Sequence, residues 1–423
     1  MAVNSKFSLK NIFSSPEIRK KIFFSLAIII VFRFLAAVPV IGMSTEAMAE
    51  LLTRYGTSDA FTIFSAGGLE TASVIAIGIG PYISASIMLQ LLGSVIPKLE
   101  ELRKEGTQGQ RQINLYTRIV TVPLAILQSF VIYGTLRGLV NLPQLSGMEL
   151  AGFVATLTAG AMLIMWLAER MGEDGLANGS SYLIFLGILS GVLKQIAGNL
   201  TLADPLEIAI FALVGSLIVA SVVLVTDAER RIKLLYSQKI RTVGSQENYL
   251  PIKLTQFGVM PVIFASALLT FPIYIGSFIT ASEKMPSGVV NWTNSMVTFL
   301  QDNYVQDIGT FLLVIIFSFF YISVVFKTDE IADNLQKQGA FIPGIRPGAQ
   351  TEKFLKQTSY RLTAFGGLFL AIIAVLPNIL AQVGWLDYRV IGGTGLLIVV
   401  GVALDVKRKI DSMVVVRSYD RYL

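Results

Sequence analysis

The sequence predicts an all-α polytopic membrane protein with ten transmembrane helices in two inverted five-helix halves. Hydrophobic residues make up 53% of the 423 residues and charged residues only 15%, and the mean hydropathy is +0.66. Apolar runs of about 20 residues, the length that crosses the hydrocarbon core of a bilayer, recur along the whole chain. Lys and Arg are concentrated in alternate connecting segments. These observations are typical of multi-pass membrane proteins.

Ten apolar runs follow one another along the chain. In the first half they are residues 21–40, 73–93, 117–136, 149–168 and 180–198, and in the second half 207–226, 257–280, 308–326, 362–383 and 391–406. Five spans, an odd number, place the two halves in opposite orientations, as in the inverted repeats of many transporters, whose pathway lies between the halves. We therefore predict an N-terminal half, residues 1–200, and a C-terminal half, residues 201–423.

The charge distribution predicts the orientation of the spans. With the N-terminus inside, the inner segments contain 28 of the 34 Lys and Arg residues and the outer loops only five. Basic residues are enriched in cytoplasmic loops. Both termini are therefore expected in the cytosol, with the chain in the cytoplasmic membrane. The basic residues ahead of the first run suggest a signal peptide, but Arg33 within the run and the nine later spans favour a retained helix.

The second span is unusual for a lipid-facing helix. Residues 61–97 contain a short apolar piece broken by Gly67 and Gly68, and then a longer run interrupted by Gly78, Gly80 and Pro81. Broken helices at membrane depth are tolerated inside a protein or beside an aqueous cavity. The stretch therefore indicates either a kinked helix packed inside a bundle or a helix that lines a pore.

The sequence lacks the residues that several classes of function require. The chain has no Cys and no His, which excludes disulfides, thiolate chemistry and His-dependent triads or metal sites. No phosphate-binding P-loop is present, so no ATP hydrolysis is expected. No Asp or Glu lies near the middle of a span, where an ion-coupled carrier usually needs one. Arg33 is the only charge deep in a span, and we expect it to pair with a carbonyl or hydroxyl group between packed helices.

Two cytosolic loops, residues 227–254 and 327–361, are longer than a turn requires. In the second loop, Ile331 and Leu335 share one helical face, and the segment AFIPGIRPGAQ that follows is punctuated by Pro and Gly. We expect a tight turn there, with Arg346 near its tip. Basic loop residues commonly do no more than enforce topology. The length of the loops and the turn chemistry nevertheless indicate a projecting docking surface.

Six segments of the chain together resemble the SecY family of protein-conducting channels. They have the family's order, spacing and expected side of the membrane, and they extend over nearly the whole length. The segments are GIGPYISASIMLQLL, EGTQGQRQINLYTR, NGSSYLIFLGI, YLPIKLTQFGVMPVIFAS, ADNLQKQGAFIPGIRPG and GGTGLLIVV. The resemblance implies an hourglass-shaped molecule whose two halves surround a central pore.

The resemblance also implies a ring of aliphatic side chains at the narrowest point of the pore. By motif position the ring here comprises Ile79, Ile83, Ile184, Ile263 and Ile398. Flexible apolar side chains can close around an extended peptide, and an unoccupied apolar constriction tends to dewet and resist ions. Isoleucines in spans are usually core or lipid-facing residues, so only the resemblance selects these five.

Two moving parts of the family can be placed on this sequence. A plug, a short half-helix that blocks the outer funnel, corresponds to residues 61–70, with Phe61, Phe64, Ser65, Gly67, Gly68 and Leu69 as its residues. A lateral gate lies between the second and third spans on one side and the seventh and eighth on the other. Its expected polar residues are Ser84, Gln90, Gln128 and Ser266, although small hydroxyl residues also serve ordinary helix packing.

The function implied by the resemblance is passive conduction of unfolded polypeptide, with hydrophobic segments released sideways into lipid. It involves no catalytic residue and no cofactor. The implied partners are SecE-type and SecG-type membrane subunits, the SecA ATPase, the ribosome with its nascent chain, signal sequences and membrane lipid. Cytosolic partners would dock at Arg230, Arg231, Lys239, Arg241 and Arg346. The alternatives are a secondary transporter for a small solute with inverted repeats, and a structural membrane scaffold, which would not explain the plug-like segment.

Overall fold

The computed structural model describes residues 16–40, 73–93, 96–140, 145–176, 178–199, 205–236, 248–281, 286–382 and 393–420. Helices dominate these ranges, as the sequence predicts. In the first half they are α1 (Pro16–Ala37), α2 (Gly80–Leu92), α3 (Pro97–Lys104), α4 (Thr107–Val140), α5 (Gly147–Asp174) and α6 (Gly179–Asn199). In the second half they are α7 (Pro205–Asp227), α8 (Met260–Ala281), α9 (Ser287–Gln301), α10 (Asn303–Val325), α11 (Thr328–Lys337), α12 (Ala349–Gln382) and α13 (Gly393–Asp420).

Each of the ten predicted apolar runs overlaps one of these helices. Among the described residues, four helices are long and apolar enough to cross a membrane: Thr107–Gly134, Gly147–Asp174, Asn303–Lys337 and Ala349–Leu380. The pair formed by α2 and α3 is a fifth candidate, bent by 104° at its break. The chain is thus a multi-pass protein by length and composition. The count of ten spans is consistent with these helices and stays a prediction.

The second apolar run forms a much shorter helix than its length suggests. Residues 74–79 form turns, and α2 begins only at Gly80, with Pro81 in its first turn. Gly78 has φ 63°, a left-handed conformation that glycine adopts without steric cost. Ser73 pairs with Pro39 in an isolated bridge, and the Val74 amide donates to the Val38 carbonyl at 2.9 Å. The chain therefore returns to the end of α1 before α2 begins.

The two long loops form a small folded unit together. Strands β1 (Glu229–Tyr236) and β2 (Asn248–Lys253) pair antiparallel, and β3 (Ala340–Phe341) pairs with the other edge of β1, in the order β2-β1-β3. Alternation along β1 buries Ile232 and Leu234. Their partners in a separate apolar core come from the second strand, α11, α12 and the segment between them: Ile252, Leu335, Ala340, Ile342 and Leu355. We call this unit the sheet domain.

The largest hydrophobic core joins the two halves of the chain. Its buried residues come from α1, α2, α5 and α6 in the first half and from α7, α8, α10, α12 and α13 in the second. The halves meet where α2 and α4 pack against α8, and where α6 packs against α13. Residues from both halves therefore surround one apolar centre.

Candidate functional site

The five isoleucines of the predicted ring are all buried in the central core. Their exposed fractions are 0% for Ile79, 5% for Ile83, 0% for Ile184, 2% for Ile263 and 1% for Ile398. All five belong to the same continuous cluster of buried apolar side chains. Three come from the first half of the chain and two from the second. Their burial is what a closed constriction between the halves requires.

The start of α2 fixes Ile79 and Ile83. Ile79 precedes the helix as its N-cap residue, and the Ile83 amide donates to the Ile79 carbonyl at 3.1 Å. One helical turn therefore separates the two side chains, which places them on one face. Pro81 is tolerated here because the amide groups of a first helical turn have no helical partner.

The other three isoleucines also lie near the beginnings of helices. Ile184 lies in the second turn of α6, Ile263 in the first turn of α8 and Ile398 in the second turn of α13. The helix that contains Ile398 begins where it packs closely against α12. A Cβ on Gly393 would lie 2.4 Å from the carbonyl oxygens of Ile373 and Ala374, so only glycine lets α13 approach α12 at this point.

The helices of the predicted lateral gate are in contact in this structure. Both α2 and α4 pack against α8, and α8 packs against α10. Gln128 of α4 and Ser266 of α8 are buried, whereas Ser84 and Gln90 of α2 are half-buried. The Gln90 amide donates to the Ser86 hydroxyl at 3.3 Å, and the Ser266 hydroxyl donates to the Val262 carbonyl at 3.0 Å. These two hydrogen bonds lie within single helices, so separating the helices does not require breaking them.

Arg33 has the partners that the sequence predicts. Its guanidinium donates to the Ser190 hydroxyl and, at 3.3 Å, to the Leu186 carbonyl. Both acceptors belong to α6, and Ser190 is buried. A hydroxyl and a carbonyl between packed helices thus satisfy the only charge deep in a predicted span.

The predicted docking residues fall on the sheet domain as far as the structure describes them. Arg230 and Arg231 are exposed on β1, and the Arg231 guanidinium donates to the Glu229 carboxylate at 2.7 Å. Arg346 is exposed on the segment between β3 and α12. Lys239 and Arg241 lie outside the described residues, and so does the predicted plug, residues 61–70.

The segment with Arg346 forms the tight turn that its Pro and Gly residues predict. The Ile345 amide donates to the Ile342 carbonyl at 3.1 Å, and Gly344 has φ 81°. Pro followed by a residue with positive φ is the signature of a type II turn. The Thr351 hydroxyl donates to the Arg346 carbonyl at 3.0 Å, which ties the turn to the first turn of α12.

A charged cluster at the base of the sheet domain was not anticipated from the sequence. The Arg408 guanidinium donates to the Thr226 carbonyl and to the Asp227 carboxylate, both at 2.8 Å, which joins α13 to the end of α7. Burial lowers the pKa of the nearby Lys253, and Arg408 lowers it further, against the opposing effects of Asp405, Asp227 and Glu229. These residues are distant in sequence, so no local pattern indicates them.

A second buried polar group lies at the other end of the molecule. Asp307, near the start of α10, accepts hydrogen bonds from the Asn378 amide at 3.0 Å and from the Gln382 amide at 2.8 Å. It lies within the first two turns of its helix rather than at mid-span. Within the part of the chain that the structure describes, no group of three His, Cys, Asp or Glu residues has the arrangement to hold a metal ion.

Comparison with known proteins places this architecture among protein translocases and channels. The family model described as SecY matches residues 73–407. The protein translocase subunit SecY of Mycobacterium bovis is 38% identical over 432 residues, which cover 96% of this chain and 97% of that protein. A solved structure from work on the plug domain of the SecY protein has a TM-score of 0.65 at 16% identity, covering 93% of this chain and 91% of that chain.

A second solved structure, Sec61 in the canine ribosome-channel complex, has a TM-score of 0.62 at 16% identity and covers 93% of this chain and 91% of that chain. At such identities the structures support the fold alone. The family match and the 38% identity extend over most of the chain. The chain belongs to the SecY family.

Proposed function

We propose that this protein is the pore subunit of a protein translocation channel in the cytoplasmic membrane. Unfolded polypeptides pass through its centre, and hydrophobic segments leave sideways into lipid. The relative from M. bovis is a protein translocase subunit. The match to the SecY family and to translocase subunits over most of the chain carries the proposal. The burial of the predicted ring agrees with it, since side chains from both halves lie in one central cluster: Ile79, Ile83, Ile184, Ile263 and Ile398. No bond is made or broken by the chain in this function.

The isoleucine ring acts as the seal of the closed channel. An apolar constriction holds water poorly, so ions that must keep their hydration shell face a barrier there. The same side chains have rotameric freedom and no hydrogen-bonding groups. They can therefore surround an extended peptide of any sequence without selecting for its polar groups.

Residues 61–70 act as the plug in this proposal. The described residues on either side support it, because the Val74 amide is bonded to the Val38 carbonyl. The described residues that precede and follow this part of the chain thus lie side by side, a few residues before Ile79. In the SecY protein to which that solved structure relates, the plug domain stabilises the closed state of the translocation channel and maintains a membrane seal.

The lateral gate in this proposal opens where α2 and α4 face α8 and α10. This contact joins the two halves of the chain, and its proposed polar residues are Ser84, Gln90, Gln128 and Ser266. Polar groups in the contact weaken its apolar packing, so an arriving hydrophobic signal sequence can replace it. Parting the helices there would expose the ring to lipid, which is the exit that a membrane-bound segment needs.

The sheet domain is the proposed docking surface for cytosolic partners, a ribosome or a SecA-type ATPase. The solved Sec61 neighbour is in a ribosome-channel complex. Arg230, Arg231 and Arg346 are exposed on this domain, and Lys239 and Arg241 belong to the same loops in sequence. This assignment puts both termini in the cytosol, in agreement with the Lys and Arg distribution. SecE-type and SecG-type subunits would occupy membrane-facing surfaces of the bundle.

The seal can be tested by measuring ion leak. Replacing two or more ring isoleucines with serine should raise the conductance of planar bilayers that contain the channel, because hydroxyl groups wet the constriction. Ile164→Ser is a matched control, since Ile164 is fully buried in the same cluster but outside the predicted ring. The control should lower stability without raising the conductance. Equal conductance of the ring variants and the native channel would refute the ring assignment.

A further inference from the structure

The helix α9 connects the outer ends of α8 and α10, at the side of the molecule away from the sheet domain. Four of its large apolar side chains are exposed: Val289 (44%), Trp292 (67%), Met296 (44%) and Phe299 (63%). At 3.6 residues per turn they lie within an arc of about 80°. In water such a stripe would be costly, so something apolar covers it.

The two other faces of α9 restrict what can cover the apolar stripe. One face packs on the protein: Thr293 is buried, and Val297 lies so close to α8 that a Cβ on Gly276 would meet its methyl group at 2.3 Å. The polar face, which contains Asn291, Asn294 and Thr298, is exposed. The helix thus has an apolar face and a polar face that the described part of the chain leaves exposed, which is the pattern of a helix at a membrane surface.

A second exposed apolar stripe lies on α10, the helix that follows α9. On α10, the residues Tyr304, Ile308, Leu312 and Ile316 are exposed at intervals of four residues, so they form one line down the side of this apolar helix. The corner between the two helices is fixed because the Asp302 carboxylate accepts hydrogen bonds from the Tyr304 and Val305 amides at 2.9 and 3.4 Å. The two exposed stripes therefore belong to consecutive helices that meet at this corner.

The helix α9 packs near the outer end of α8, which is where a spanning helix reaches the boundary between headgroups and acyl chains. Its contact residue Gly276 lies five residues before the end of α8, which is about 8 Å along the helix axis. Interfacial helices bury their apolar faces about 5–10 Å into this boundary, and Trp is enriched there. The residues Ser287–Gln301 include no Lys, Arg, Asp or Glu, so charge attraction to anionic lipid has no part in the binding.

We propose that α9 is an interfacial helix whose Val289, Trp292, Met296 and Phe299 insert into the outer edge of the bilayer. It anchors the outer end of α8 to the lipid surface by apolar burial alone. This inference depends on the chain being a membrane protein and not on which molecule passes through it, so it can fail while the proposed function stands.

Depth-dependent fluorescence quenching tests the proposal on the full-length chain in lipid nanodiscs. The chain has three Trp residues, and the variant with W166F and W385F keeps only Trp292. Two reference probes are placed in the chain with W166F, W292F and W385F: Ile316→Trp on the α10 stripe near mid-span, and Tyr236→Trp at the exposed last residue of β1. The quenchers are phosphatidylcholine brominated near the headgroup or deep in the acyl chain, and aqueous iodide.

The expected result is a larger loss of Trp292 fluorescence with shallow bromines than with deep bromines. The Ile316→Trp probe should show the reverse order, and the Tyr236→Trp probe should respond only to iodide. Replacing part of the phosphatidylcholine with phosphatidylglycerol, or raising the salt concentration, should leave the Trp292 profile unchanged. If the multiple replacements impair folding, the difference between the native chain and W292F gives the same profile.

Four outcomes would overturn the proposal. Quenching of Trp292 by iodide but not by brominated lipid would place the stripe in water. Protection from all quenchers would mean that a protein partner or a second copy of the chain covers it. A profile like that of the Ile316→Trp probe would make α9 a re-entrant helix rather than an interfacial one. A profile that disappears at high salt would show an electrostatic attachment.

Discussion

Arg33 shows how a charge within a predicted span is tolerated at the scale of single residues. An arginine at a helix centre costs about 2.5–3.5 kcal/mol on insertion scales. The contacts to the Ser190 hydroxyl and the Leu186 carbonyl offset part of that cost and fix α1 against α6. The type of partner was predictable from the sequence because few groups inside a bundle accept hydrogen bonds. Its identity was not, since Ser190 lies 157 residues away.

Removing the hydroxyl partner of Arg33 should lower the stability of the protein more than removing the arginine itself. Ser190→Ala leaves a guanidinium short of an acceptor, which costs about 1–3 kcal/mol for a buried group. Arg33→Met removes the charge together with its desolvation cost, so we expect a smaller loss. In the double variant the Ser190→Ala effect should largely vanish. Thermal unfolding in detergent measures all three, and additive losses would show that the two residues do not interact.

The buried carboxylate of Asp307 illustrates a site that sequence reasoning missed. Its partners Asn378 and Gln382 lie 71 and 75 residues further along the chain. Asp307 itself lies one residue before the predicted eighth span, where the sequence predicts an exposed loop residue. Only the packing of α10 on α12 brings the three together, so no pattern of spacing could have revealed them.

At the scale of elements, the apolar runs predicted helices well and their ends poorly. Each run overlaps a helix because hydrophobicity over 20 residues is a strong signal. The second span was overestimated, since Gly78 and Pro81 delay the start of α2. The sequence predicts a loop where β1 and β2 lie, because isolated strands of eight and six residues give a weak signal. The helix α9 lies between the seventh and eighth predicted runs, where no apolar run of about 20 residues predicts a helix.

The contact between α8 and α9 depends on the absence of a side chain at Gly276. Gly276→Ala should destabilise the protein by about 1–3 kcal/mol, because the new methyl group would overlap Val297. Val297→Ala in the same chain should restore most of the loss by removing the overlapping methyl groups. Gly215→Ala is a control on α7, where a Cβ meets no atom within 4 Å. Thermal unfolding would contradict this packing if Val297→Ala gave no rescue.

At the scale of the whole molecule, the resemblance to the SecY family selected the ring residues, which residue patterns alone could not identify. Burial alone does not distinguish the ring, because many other apolar side chains in the central cluster are equally buried. Composition predicted the membrane class, and the odd number of spans per half predicted the inverted orientation. The choice of Ile79 or Ile398 over a neighbouring isoleucine came only from motif position. The docking surface, in contrast, had a local signal in the turn chemistry around Arg346.

The backbone of Arg346 is restricted, which favours a role for this residue in contacting a partner. The turn at Pro343 and Gly344 and the hydrogen bond from Thr351 restrict its backbone, so little freedom is lost on docking. A guanidinium offers a planar set of donors for carboxylates or for RNA phosphates. If Arg346 instead serves only to enforce topology, neighbouring basic residues would share that role.

Charge reversal within the sheet domain separates these two possibilities. Lys337 and Lys356 are matched controls, since both are exposed on helices that flank the same turn. Arg346→Glu alone should abolish export driven by the cytosolic ATPase in reconstituted vesicles, because it places a carboxylate against the anionic partner. Lys337→Glu and Lys356→Glu should leave most of the export, and expression, topology and subunit assembly should match the native protein in all three. Equal and mild losses of export at the three positions would mean that Arg346 contributes only to the overall positive charge of this face. Arg346 would then not be a docking residue, and other residues of the sheet domain would have to contact the partner.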